Sequence, residues 1–169
     1  MSDLVGNLLE LSRLQSGGVQ LRWEWNSVEE LFASAIRHRK AVLEGREIVF
    51  DVPENLGLVW CDGLLVERVV VNLLDNAARH TPAGTPLRLW ADEMSKFVQI
   101  GLDDEVSGFA LDTVPRDGGR GGIGLSLCRA IAKTHGGRLA VDSRPAGGSR
   151  VFLELPRNPM EPEVPTELD

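Results

Sequence analysis

Three groups of residues in this chain have types and spacings that suit chemistry. The first is Asn72 and Asn76, set i and i+4 and surrounded by apolar residues. One helical turn stacks the two amides on one face, offering two neutral side-chain oxygens. Such oxygens suit a Mg²⁺ ion held jointly with phosphate groups. Arg79 follows on the same polar side with His80, and a guanidinium there can reach the same phosphates. The same spacing equally describes a solvated helix face carrying an ordinary Asp75–Arg79 ion pair. The second group is the run Gly118-Gly119-Arg120-Gly121-Gly122-Ile123-Gly124-Leu125. Glycines before and within a first helical turn let backbone N–H groups approach an anion, which the helix dipole favours. This run fits neither the Walker pattern nor G-x-G-x-x-G, and a surface loop entering a helix would read the same way. The third group is Asp103-Asp104, closing a strand ahead of Ser107-Gly108. A carboxylate there can accept a hydrogen bond from an adenine amino group, although paired Asp residues at strand ends also simply start turns.

The elements that must position these residues follow from periodicity. Leu4, Leu8, Leu11 and Leu14 form one helical stripe over residues 3–15, stopped by Ser16-Gly17-Gly18. A lone helix of that length is marginal in water, so the stripe requires a partner. Residues 19–25 alternate as a strand. Ser27 and Glu30 form a capping-box signature for a helix continuing to Gly45. Short strands are expected at 47–52 and 57–60. The strongest helix runs from Gly63 to Thr81, with Arg68, Asn72, Asp75, Asn76, Arg79 and His80 on its polar side. Strands at 86–92 and 96–102 precede a Gly- and Asp-rich loop over 103–122. A helix from Ile123 to His135 stops at Gly136-Gly137, and strands at 138–142 and 149–155 read as a hairpin. The sum is an α+β fold: a two-layer sandwich with a mixed, mainly antiparallel sheet covered on one face by helices.

Composition narrows the partners. The chain has 169 residues, 43% hydrophobic and 25% charged, which fits one globular domain with appendages. Its net charge of −7 argues against a general nucleic-acid binder, because phosphate neutralisation needs a Lys/Arg excess. A small anionic ligand stays compatible with it. Residues 157–169 hold a net −3 of that charge together with Pro159, Pro162 and Pro165, and read as a disordered acidic tail. The two cysteines, Cys61 and Cys128, imply no disulfide framework and fit a reducing, cytoplasmic setting. No stretch is long and apolar enough to span a bilayer.

VERVVVNLLDNAARHTP, a strand ending in Asp, and GGIGLSLCRAIAKTHGG occur in an order that resembles the ATP-binding domain of sensor histidine kinases. This Bergerat-type fold is shared with gyrase and related ATPases. The resemblance covers about residues 19–156, with Asn72 to Ala77 matching the asparagine box. NLLELSRLQSGG looks like the end of the dimerisation helix that precedes such a domain, so residues 1–18 are expected to be its remnant and linker. CRAIAKTHGG and SRPAGGSRVFLELP are most similar to potassium-responsive, KdpD-like sensor kinases.

The resemblance implies ATP and Mg²⁺ as ligands, with Asn76 the principal metal ligand and Asn72 supporting the metal or its water shell. Arg79 stands where the family usually has a phosphate-binding Lys, and His80 where an aromatic residue packs against the nucleotide. Asp104 would read the adenine amino group. Gly122, Gly124 and Leu125 would form the second glycine box beneath the phosphates. Gly108 closes a first glycine box that departs from the family, since Val106 replaces a glycine and Glu105 adds charge near a polyanion. A β-branched residue takes positive φ poorly, so that loop must follow another path. The lid between Ala110 and Arg120 is short, and Phe109 sits too early to supply the family's phenylalanine box.

The implied reaction is γ-phosphoryl transfer to a histidine on a dimerisation domain, with a response regulator downstream. None of His38, His80 or His135 precedes an acidic residue, so none is expected to accept phosphate. His135 is expected at a helix C-terminus, partly charged. Residues 3–15 offer a route to a homodimer. The competing reading is a degenerate nucleotide-binding or protein-interaction module without kinase activity.

Overall fold

The computed structural model describes residues 2–17, 20–104, 122–143 and 148–157. The expectations for Glu105, Val106, Gly108, Phe109, the lid and the tail from residue 158 onward lie outside the described residues.

The chain runs α1 (Ser2–Gln15), β1 (Trp23–Asn26), α2 (Val28–His38), β2 (Ile48–Asp51), β3 (Val59–Asp62), α3 (Gly63–His80), β4 (Leu87–Glu93), β5 (Phe97–Asp104), α4 (Gly122–Thr134), β6 (Arg138–Ser143) and β7 (Ser149–Pro156). Five strands form one sheet in the order β2-β4-β5-β7-β6, antiparallel except for the parallel β2–β4 pair. The expected mixed, mainly antiparallel sheet is therefore present. One correction concerns β3, which leaves this sheet and pairs with β1 as a separate antiparallel ribbon. β3 also lies two residues later than its pattern suggested, because Asp62 ends it and caps α3 by accepting a hydrogen bond from the Leu65 N–H.

Period-two burial sorts the main sheet. Leu87, Leu89 and Ala91 of β4, Val98, Ile100 and Leu102 of β5, and Val151, Leu153 and Leu155 of β7 all join the core. The core faces Val66, Val69, Leu73 and Leu74 of α3 and Leu127, Cys128 and Ile131 of α4. Each such Leu or Val contributes about 1.5–3 kcal/mol by leaving water. The opposite face carries Arg88, Trp90, Asp103, Arg150 and Phe152. Gly101 lies between Trp90 and Phe152 on that face, where a Cβ would come within 2.7 Å of both Phe152 Cβ and the Val151 carbonyl oxygen. Glycine is needed there for close approach.

α2 begins as expected, with Ser27 accepting from the Glu30 N–H. It stops at His38 instead of continuing to Gly45. Arg39 leaves helical geometry, its N–H bonds Ile36 O, and its guanidinium pairs with Asp75 on α3. Leu43 is still buried, but Val42 is 51% exposed. Strand β1 begins at Trp23, later than the pattern over 19–25 suggested.

α1 packs on α4 rather than standing alone. Leu14 is buried and Leu11 packs partly against the core, whereas Leu8 is 50% exposed beside exposed Val5 and Leu9.

His135 departs from its expected role. It is buried, the Asp62 N–H donates to its Nε2 at 3.1 Å, and its Nδ1 lies 2.8 Å from the Ile131 carbonyl oxygen. Nε2 is the acceptor, so the proton sits on Nδ1 and the ring is neutral. Burial pushes its pKa below the usual histidine value, against the raising effects of Ile131 and Asp62. Below about pH 6.5 the unfolded chain therefore binds a proton that the folded chain refuses, and stability falls as pH falls. Urea midpoints are expected to drop from pH 7 to pH 5. His80, also lowered, acts with the same sign. The part belonging to His135 disappears in His135→Gln, measured by the same titration.

Candidate functional site

The candidate site lies where α3 and α4 cover the sheet. α3 carries both asparagines because its apolar residues hold one side in the core. Asn72 is buried, while Asn76 and His80 are half-buried and Arg79 is exposed. The Asn76 amide makes no hydrogen bond to a described residue. Asp75 is paired with Arg39, Nε to Oδ1 2.9 Å, which replaces the Asp75–Arg79 pair that spacing alone suggested. Burial and the adjacent Arg79 charge both lower the His80 pKa.

Asn72 is held from two sides. Its Nδ2 donates to Arg68 O at 3.0 Å, one turn back on α3. Its Oδ1 accepts from Asn7 Nδ2 of α1, also at 3.0 Å. α4 starts at Gly122, and Gly124 in its first turn lies so close that a Cβ would sit 3.3 Å from Asn72 Oδ1. Asn72 and Gly124, 52 positions apart in sequence, thus meet in space. The Leu125 side chain is buried in the core, so only its backbone can face a ligand.

Sheet parity separates the two aspartates. Asp103 points to the face away from the helices and is fully buried there by its partners. Arg88 Nη1 reaches its Oδ2 at 2.7 Å, Arg150 grips both oxygens at 2.9 Å, and Trp90 Nε1 donates to Oδ1 at 2.9 Å. Asp104 points to the helix-covered face, with the asparagines. Its Oδ1 accepts from the Ser149 N–H at 3.2 Å and its Oδ2 from Ser149 Oγ at 2.7 Å. Gly148 precedes Ser149 at φ +89°, packed against the Asp104 backbone. Ser149 thus fixes the orientation of the Asp104 carboxylate through both of its oxygens. Sequence reading missed Ser149 and Asn7. A Gly-Ser opening a strand is a weak trace of the first; nothing local marks the second.

The donor set fits a Mg²⁺–nucleotide pair. It combines neutral amide oxygens at a helix face, one of them on an amide without a described partner, with a glycine-lined helix start and a fixed carboxylate. Among the described residues no group of three or more His, Cys, Asp and Glu could hold a metal ion.

A helix pair over one face of a mixed sheet, with the Asn72 amide against the glycine-bearing start of α4, is the arrangement of one class of ATP-binding layer. Residues 61–159 match the family model for the histidine kinase-, DNA gyrase B- and HSP90-like ATPases, and the chain belongs to that family. It is 35% identical over 166 residues to the sensor protein KdpD of Escherichia coli, matching 91% of this chain and 18% of that protein. The chain thus spans less than a fifth of that relative's length. The histidine kinase AdeS of Acinetobacter baumannii superposes with a TM-score of 0.79 at 23% identity, covering 93% of this chain and 78% of that one. Full-length ShkA, solved in complex with AMPPNP, gives 0.77 at 22% identity, covering 91% and 35%. Both share the fold. No helix among the described residues is long and apolar enough to cross a membrane.

Proposed function

We propose that this domain binds Mg-ATP and transfers its γ-phosphoryl group to a histidine on a dimerisation domain. The observation that carries this reading is the close approach of Gly124 to Asn72, with Asn76 one helical turn on, on the same side of the sheet as Asp104. Asp104, pinned by Ser149, accepts a hydrogen bond from the adenine amino group. Asn76 supplies an amide oxygen to Mg²⁺, and Asn72 supports the metal or its water. When bound, the ion offsets negative charge on the phosphate oxygens. Arg79 adds a mobile positive charge at the phosphates, neutral His80 packs near the nucleotide, and the backbone from Gly122 to Leu125 offers N–H groups at the helix start.

In the transfer, an imidazole nitrogen forms a bond to the γ-phosphorus as the bond to the leaving ADP oxygen breaks. The domain's work is alignment and charge neutralisation rather than covalent chemistry. His135 is buried with both nitrogens engaged, so it is no acceptor. Residues 1–18 are read as the end of the dimerisation helix and its linker, and residues 157–169 as an appended tail. A cytoplasmic location and a downstream response regulator belong to the same proposal.

Mixing the chain with radiolabelled ATP, Mg²⁺ and a dimerisation domain from a KdpD-like kinase tests it. Acid-labile, base-stable label on the added domain is expected, and none when its histidine is replaced. Tight ATP binding with no transfer to any such domain favours the interaction-module reading.

A further inference from the structure

We infer that Asn7 of α1 is a positioning residue for the asparagine pair, setting which way the Asn72 amide faces. The inference rests on the reading of Asn72 and Asn76 as the metal-facing pair. Asn7 lies 65 positions before Asn72, yet its Nδ2 donates to Asn72 Oδ1 at 3.0 Å. The second anchor, Asn72 Nδ2 to Arg68 O, fixes the other end of the same amide. Together they select one of two amide orientations, because reversing it would set two N–H₂ groups face to face and leave Arg68 O against an oxygen. Oδ1 is thereby kept on the side where Gly124 approaches. One lone pair of Oδ1 accepts from Asn7, and the other stays available to a metal-bound water.

α1 is firmly enough seated to do this. Leu14 is buried, Leu11 packs on the core, and Arg68 Nη1 reaches back to Gly6 O at 3.4 Å. Asn7 borders a cleft of about 630 Å³ between α1 and α3, together with Arg13, Arg39 and Asn72. A shift of α1 along its axis by one residue moves its side chains by about 1.5 Å and rotates them by 100°, which breaks the Asn7–Asn72 bond. The position of α1 is in this way linked to the geometry of the metal-facing amide.

The test compares wild type, Asn7→Ala and Asn7→Asp as full chains, by fluorescent ATP-analogue binding across a Mg²⁺ titration and in EDTA. Alanine removes the donor and improves helix propensity, so the fold is kept. Aspartate keeps the shape but presents only acceptors, favouring the reversed Asn72 amide. Both variants are expected to raise the Mg²⁺ concentration at half-saturation roughly 3–10-fold, the range that losing one hydrogen bond of ordinary net strength gives. Affinity in EDTA should stay unchanged, and Asn7→Ala should add nothing in an Asn72→Ala background. Unchanged half-saturation in both variants, or an equal loss with and without Mg²⁺, overturns the role of Asn7. Mg²⁺-independent binding by wild type instead overturns the metal reading of the pair, and this inference with it.

Discussion

Asn76→Ala is expected to abolish Mg²⁺-dependent ATP binding while leaving the domain folded and no less heat-stable. The dissociation follows from where Asn76 sits. Its amide has no described hydrogen-bond partner, so truncation orphans no described group. Alanine is also the better helix former, by about 0.5 kcal/mol at an interior position. The oxygen lost is the one assigned to the metal. Its removal should weaken Mg-ATP by at least the roughly 10–100-fold that losing a mere outer-shell partner costs a metal site. Calorimetric titration with a non-hydrolysable analogue, paired with a melting curve, reads both halves. Lost stability with retained affinity would make Asn76 structural.

Asp103→Ala should do the reverse, destabilising the domain strongly. Asp103 is fully buried on the sheet face away from the helices, with Arg88, Arg150 and the Trp90 indole all donating to it. Arg150 also lies over the Trp90 ring, 4.4 Å from its centroid. Without the carboxylate, Arg150 loses its bidentate partner and the Trp90 indole N–H is left buried, while Arg88 keeps its pair with Asp51. Breaking a buried ion pair by removing one partner costs about 3–5 kcal/mol. The low end applies here, because Arg88 and Arg150 keep 30% and 35% of their side-chain surface in water and can turn outward. Urea unfolding measures the loss, and ATP affinity of the remaining folded protein should match wild type. A midpoint within experimental error of wild type would show the cluster to be a surface decoration.

These two residues also show what the chain discloses unaided. The asparagine pair was legible because helical periodicity is local: Val69, Val70, Leu73 and Leu74 point one way, so the polar residues between them must point another. The glycine run and the helix after it were legible for the same reason. Residue types alone did not separate Asp103 from Asp104, and only the family resemblance singled out Asp104; the packed sheet shows that the two face opposite sides. The overlong reading of α2 arose because Val42 keeps the helical phase of Leu31, Ala35 and Ile36 past Arg39, where the backbone leaves helical geometry. Strand 57–60 was misplaced because Asp62 serves both β3 and the cap of α3. The contacts of Asn7 with Asn72 and of Ser149 with Asp104 span 65 and 45 positions, and no local pattern carries such pairings.

The central claim is that one Mg-ATP site joins the asparagine pair to Asp104. It is tested most directly by titrating wild type and Asp104→Asn with ATP and with inosine triphosphate, which lacks the 6-amino group, in Mg²⁺ and in EDTA. Wild type should bind ATP saturably, more tightly with Mg²⁺, and prefer ATP to inosine triphosphate by roughly 10-fold or more, as expected for one hydrogen bond to a charged group. Asp104→Asn should erase that preference and keep the Mg²⁺ dependence. A folded wild-type protein that binds neither nucleotide, or binds both equally with and without the metal, would contradict the assignment.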